Sequence, residues 1–230
     1  MTTGGQEAEL RVAADPDTAS PAGLVLRIEH IALAQGLDLG EVRTRSGWDA
    51  GAEVSTDRGK VVVSLCAEDS FRIQILRHRG FPSSEGWTND LVAAVGVANL
   101  WHQGGSLREL HDRFPFMSWS DLAQAFEDGD PAPAKWSELL SSEWHLRDRP
   151  LLQAAHAHPD LCKFWPDISH RSLMLCRTPF DSESGLVKIW PLEEGRYRVT
   201  MAPGGFWREV SSLSTALEVA AACFVSLPDS

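Results

Sequence analysis

The chain has 230 residues, 43% hydrophobic and 23% charged, with a formal net charge of −11 at pH 7 and a pI near 5.1. This length supports one large domain or two small ones with a real core. The acidic balance argues against a nucleic-acid backbone or an anionic membrane surface as the main partner, and leaves a cationic peptide or protein open.

Residues 1–22 are polar and rich in Gly, Pro, Ser and Thr, which predicts a disordered tail. They lack the apolar h-region of a signal peptide, and no apolar run approaches the roughly 20 residues of a membrane span. A cytoplasmic protein with reduced thiols is the expectation. The four cysteines, Cys66, Cys162, Cys176 and Cys223, have no paired spacing, so they read as small apolar residues.

"PAGLVLRIEHIALAQG", 21–36, reads as a helix opened by Pro21 and stopped by Gly36, with Leu24, Ile28, Ile31 and Ala32 on one stripe. His30, beside Leu26 and Leu33 on the far side, reads as a packed histidine. Three or four strands follow. In "FRIQILRHR", Phe71, Ile73 and Ile75 alternate with Arg72 and Gln74, the period-two mark of a sheet. "TDRG", 56–59, and "AEDS", 67–70, are hairpin turns. "SEGWTNDLVAAVGVANLWHQGG", 84–105, predicts a central helix. Thr88 is its expected N-cap, Trp87 packs over Val92 as a staple, and Gly104-Gly105 close it.

"SLRE", 106–109, and "SWSD", 118–121, are capping-box patterns of a helical connector. Pro150 opens a further helix and Pro159 breaks it. "WPDISHRSLMLC", 165–176, reads as a turn entering the first of four strands. The others are "LVKIWPL", "GRYRVTMA" and "FWREV", and a helix over "STALEVAAACFVSL" closes the chain, capped by Ser212 or Ser214. The predicted class is α+β: two helix–antiparallel meander–helix units, residues 23–105 and 149–230, joined by a connector at 106–148. The order of elements suggests a duplication; the residues themselves do not repeat.

No phosphate loop, zincin helix or nucleophile elbow is present. His156, His158, Asp160, Cys162 and His170 fall close together, but His156 and His158 point about 200° apart on a helix, so neither a metal nor another cofactor is expected. Asp167, Ser169 and His170 are the parts of a nucleophilic triad, yet neighbouring strand residues point to opposite faces, so Ser169 and His170 should not meet. His170 is instead the candidate acid–base group, with Asp167 orienting it. Trp165, Arg171 and Arg177 are the candidate binding residues around it.

Gly86-Trp87-Thr88 with Asp90-Leu91, "SLREL", "RFPF", Trp136, "RPLLQAA", "HPDL", Ser169-His170 with Leu173, Pro191, "GRYRV" and Leu227-Pro228 occur in a fixed order from about residue 24 onward. In these the chain resembles a mostly actinobacterial family of unknown function, domain of unknown function six-one-nine-three, often labelled a natural product biosynthesis protein. Trp165-Pro166 stands where that pattern has Phe-Pro. The resemblance implies a role in secondary metabolism and supplies no catalytic residues. Three functions remain open: an accessory protein holding a precursor peptide, pathway enzyme or small-molecule intermediate; a cofactor-independent cyclase or isomerase using His170; and an immunity protein masking a basic toxin.

Overall fold

The computed structural model describes residues 20–47, 50–66, 70–77 and 81–226. The chain is α+β and divides between Trp119 and Ser120 into two compact units. The division falls inside the stretch read as a connector.

The first unit begins with α1 (Pro21–Gln35). The Ser20 hydroxyl accepts from the Gly23 N–H at 3.0 Å, and Gly36 ends the helix at φ 66°. Leu24, Ile28 and Ala32 are buried, whereas Leu26, Leu33 and His30 are exposed, so His30 is not the packed histidine expected. Strands β1 (Val42–Arg45), β2 (Gly51–Thr56), β3 (Gly59–Leu65), β4 (Phe71–Leu76) and β5 (Pro82–Thr88) then run as an antiparallel meander. Val54, Val61, Val63, Phe71, Ile73 and Ile75 are buried, as the alternation predicts. The "TDRG" turn pairs Thr56 with Gly59; most of "AEDS" lies outside the described residues.

Helix α2 (Leu91–His102) starts later than its residues suggest. Asp90 is the N-cap, accepting from the Val92 N–H at 2.8 Å, and Thr88 ends β5. With Asp90 as the cap, Trp87 no longer holds the staple position just before it: Trp87 lies opposite Arg72 in the sheet, its ring 5.7 Å from that guanidinium. "SSEGWT" carries small and polar residues because another strand crosses it closely. A Cβ on Gly86 would come 2.5 Å from the Phe116 carbonyl oxygen, where β6 (Met117–Ser118) pairs with β5 after α3 (Leu107–Arg113). The sheet therefore has six strands, not three or four. Ser106 and Glu109 form the capping box of α3. Arg58, in the β2–β3 turn, stacks 3.8 Å from the buried Trp101 ring and donates to the Gly105 carbonyl oxygen at 2.7 Å, at the end of α2.

The second unit opens with α4 (Asp121–Asp128), α5 (Ala132–Ser141) and α6 (Arg149–Ala157). Ser120, not Ser118, caps α4. Strands β7 (Trp165–Ser169), β8 (Ser172–Thr178), β9 (Asp181–Pro191), β10 (Tyr197–Ala202) and β11 (Phe206–Val210) form an antiparallel sheet in the order β11-β10-β9-β8-β7. Helix α7 (Leu213–Ser226) closes it, with Ser212 accepting from the Thr215 N–H at 3.2 Å. Leu173, Leu175, Val187, Ile189 and Val199 line the inner face and pack with Trp136, Leu152, Ala220 and Phe224 from the helices. Both units place a meander between helices, but their sheets differ in strand number and their leading helices in count.

Candidate functional site

Trp165–Ser169 is a strand in its own right, where the sequence reading had only a turn. His170 and Arg171 form the whole connection to β8, with Ser169 paired to Ser172 across it. Their φ angles are 49° and 68°. A two-residue loop with φ above zero at both positions is of the type I′ kind, which normally selects Asn-Gly; a histidine and an arginine there are strained.

This turn also brings Ser169 and His170 together. The Ser169 hydroxyl and His170 Nδ1 are 2.9 Å apart, contrary to the expectation from strand alternation, because the left-handed bend removes His170 from the strand. Asp167 does not complete a triad. Its Oδ1 accepts from the Ile168 N–H at 2.8 Å, and no hydrogen bond or ion pair joins it to His170. His170 is exposed at the hairpin tip.

The proposed binding residues do not converge. Trp165 is buried, its ring 5.2 Å from that of Phe126 and 5.4 Å from that of Phe180. Arg177 donates to the Phe224 carbonyl oxygen at 2.8 Å, tying β8 to α7 on the other face. Arg171 reaches back to Asp148 at the start of α6, Nε to Oδ1 3.8 Å; Asp148 is buried, and this oxygen has no hydrogen-bond partner.

A different surface has the shape of a ligand site. The sheet face turned away from the α7 core carries cross-strand rows set by register: Met174, Lys188, Thr200 and Trp207 in one, Trp190, Arg198 and Glu209 in the next. Over β9–β11, Lys188, Trp190, Arg198, Thr200 and Trp207 from these rows line an open depression of about 470 Å³. Trp207 is 65% exposed, while Trp190, Lys188 and Thr200 are half-buried. Arg198 is held by Glu209 through Nη2 at 2.6 Å and Nε at 3.1 Å, and its guanidinium lies 6.0 Å from the Trp207 ring. Two indoles, a hydroxyl and two cations can hold a flat or apolar group bearing negative charge. A smaller depression of about 220 Å³ opens between β11 and α7, beside Phe206, Arg208, Val219 and Cys223.

The sequence signal for this surface was available: Lys188 and Trp190, Arg198 and Thr200, and Trp207 occupy the alternate positions opposite the core residues. Tryptophan's usual place in a core hid it. The two buried thiols, Cys176 and Cys223, are poor nucleophiles. Burial, then Asp167 and Asp181, push Cys176 up to about 11 against the pull of Lys188, and burial raises Cys223. Among the described residues no three His, Cys, Asp or Glu side chains are grouped to hold a metal, and no helix is long and apolar enough to cross a membrane.

Residues 132–230 match the model of a family described as a family of unknown function (DUF6193). The match runs from α5 through α7 and so covers the second unit without its first helix, a shorter stretch than the resemblance read from residue 24 onward. Neither a curated protein nor a solved structure matches the chain.

Proposed function

We propose that the chain is an accessory, ligand-binding protein of a bacterial natural-product pathway, working in the cytoplasm. The outer face of its second sheet would hold a precursor peptide, a pathway enzyme or a small-molecule intermediate. The observation that carries this reading is the open depression lined by Trp190, Trp207, Lys188, Arg198 and Thr200, inside the segment that matches the family model. Exposing an indole to water forgoes the apolar contacts that make tryptophan a core residue, and exposed aromatic surface next to convergent polar groups marks recognition. The pathway assignment rests on the sequence resemblance.

The test is calorimetric titration of the purified chain with candidate natural-product intermediates and precursor peptides, alongside Trp207→Ala. Binding that weakens at least about tenfold in the variant, with no turnover, supports the reading; a factor of that size is typical of one well-packed aromatic anchor. Conversion of an intermediate by the purified protein alone would sink it.

One observation favours a second reading, a cofactor-independent cyclase or isomerase. The Ser169 hydroxyl on His170 Nδ1 fixes the ring so that its other nitrogen can exchange a proton with an external substrate. Unchanged turnover by a folded His170→Ala variant would remove that base.

A further inference from the structure

Strand β11 is one of the two edges of the second sheet. Of its five residues Phe206, Trp207, Arg208 and Glu209 are exposed, and only Val210 is buried. The outward N–H and C=O row of such a strand is a template for another chain. The opposite edge is less open, because β7 carries Pro166, which has no N–H to give, and α5 packs against it. At β11 the two depressions flank the same strand. The larger lies on the outer face beside Trp207, and the smaller lies on the inner side between β11 and α7, beside Phe206 and Arg208.

Side chains of an extended peptide alternate between faces, so a strand laid along β11 would feed alternate residues into the two depressions. The linings contain three cations, Lys188, Arg198 and Arg208, and no carboxylate. Glu209 holds Arg198, but neither Lys188 nor Arg208 has an ion-pair partner among the described residues. An unpaired cation therefore stands at each depression. The net charge of −11 favours a basic partner for the chain as a whole; the local linings reverse that preference.

We infer that β11 is a docking edge for an extended acidic peptide, which joins the sheet as a sixth strand and seats alternate side chains in the two depressions. This rests on the reading of the outer sheet face as a binding surface, and names the ligand class and its mode of attachment.

The test uses the full chain and a fluorescein-labelled heptapeptide alternating Leu and Glu, followed by fluorescence polarisation. Three relatives serve as probes: one with Lys for Glu, one N-methylated at the Leu positions, and one N-methylated at the Glu positions. Strand addition uses the N–H groups of one alternate set only. One N-methylated peptide should therefore lose affinity about tenfold or more while the other binds nearly as the parent does, and the Lys peptide should also bind about tenfold or more weakly. Trp207→Ala and Arg208→Glu, both at exposed positions, should each weaken the parent peptide. Equal tolerance of both methylations, or preference for the Lys peptide, overturns the inference. So does sedimentation showing that a second copy of the chain occupies β11 and is not displaced by peptide. Failure of every peptide while an intermediate still binds overturns strand addition and leaves the accessory-protein reading intact. Turnover by the protein alone overturns that reading instead.

Discussion

The strained turn at His170-Arg171 separates a structural from a functional origin for these two residues. Each holds a left-handed conformation that costs an L-residue about 1 kcal/mol or more. Substituting His170→Asn keeps a side chain that tolerates this conformation and loses only one exposed hydrogen bond, to Ser169. The expected result is a gain of about 0.5–1 kcal/mol. Arg171→Gly removes similar strain but adds chain entropy to the unfolded state, about 0.5–1 kcal/mol. It also leaves Asp148 buried without the one cation paired with it among the described residues, 3.8 Å away. Losing a half-exposed cation beside a buried carboxylate costs about 1 kcal/mol, so the net effect is a loss of about 0.5–1 kcal/mol. Adding Asp148→Asn to Arg171→Gly should recover most of that loss, giving a coupling of about 1 kcal/mol in a double-mutant cycle. Urea titrations followed by tryptophan fluorescence measure the wild type, His170→Asn, Arg171→Gly, Asp148→Asn and the double variant. A loss of stability in His170→Asn, or an Arg171–Asp148 coupling near zero, would refute the reasoning.

Further expectations concern the cores and the thiols. Trp136 is fully buried and donates Nε1 to the Phe164 carbonyl oxygen at 3.1 Å, so Trp136→Ala should cost about 3–5 kcal/mol, read from the urea midpoint. Gly86→Ala should destabilise the first unit's sheet by forcing β5 and β6 apart, seen as faster amide exchange around Met117. With 5,5′-dithiobis(2-nitrobenzoate) at pH 8, the half-buried Cys66 and Cys162 should react while Cys176 and Cys223 stay protected. Because the folded state raises Cys176 from 9.0 to about 11, its contribution to stability is full below about pH 9 and is lost as pH rises toward 11. Labelling of native Cys176 at pH 8 as fast as a free thiol would contradict that.

The α+β class, most of the strands and helices α1, α6 and α7 were legible because apolar spacing is dictated by the core, and α1, β4 and α7 each bury one continuous face. What misled was local chemistry with two uses. Thr88-Asn89-Asp90 holds three cap-forming residues, and the close crossing of β6 over Gly86 goes with the placing of Thr88 in a strand. Of the two that remain, Asp90 caps α2. At His170-Arg171 nothing in the residue types signals a two-residue hairpin loop, since neither is a turn former. The strand Trp165–Ser169 was lost with it, and the Ser169–His170 contact with that strand.

The ligand surface was missed for a different reason. It depends on three strands whose outward residues are adjacent only through register: Lys188 beside Thr200, and Thr200 beside Trp207. Alternation predicts which residues leave the core, and it does not say which strand neighbours which. Once the order β9-β10-β11 is known, two indoles and two cations fall into one patch. The same order leaves β11 without a second neighbour among the described residues. The patch and the open edge are thus one consequence of topology: the strand that completes the depression is also the strand that ends the sheet. A ligand that uses both must be extended and must offer main-chain groups, which a compact small molecule cannot do. Comparing a peptide with a small-molecule intermediate at Trp207→Ala therefore tests whether the depression and the edge act together. A parallel loss of both ligands would place the affinity in the depression, and a smaller loss for the peptide would place part of it in the main chain of β11, which the substitution leaves intact.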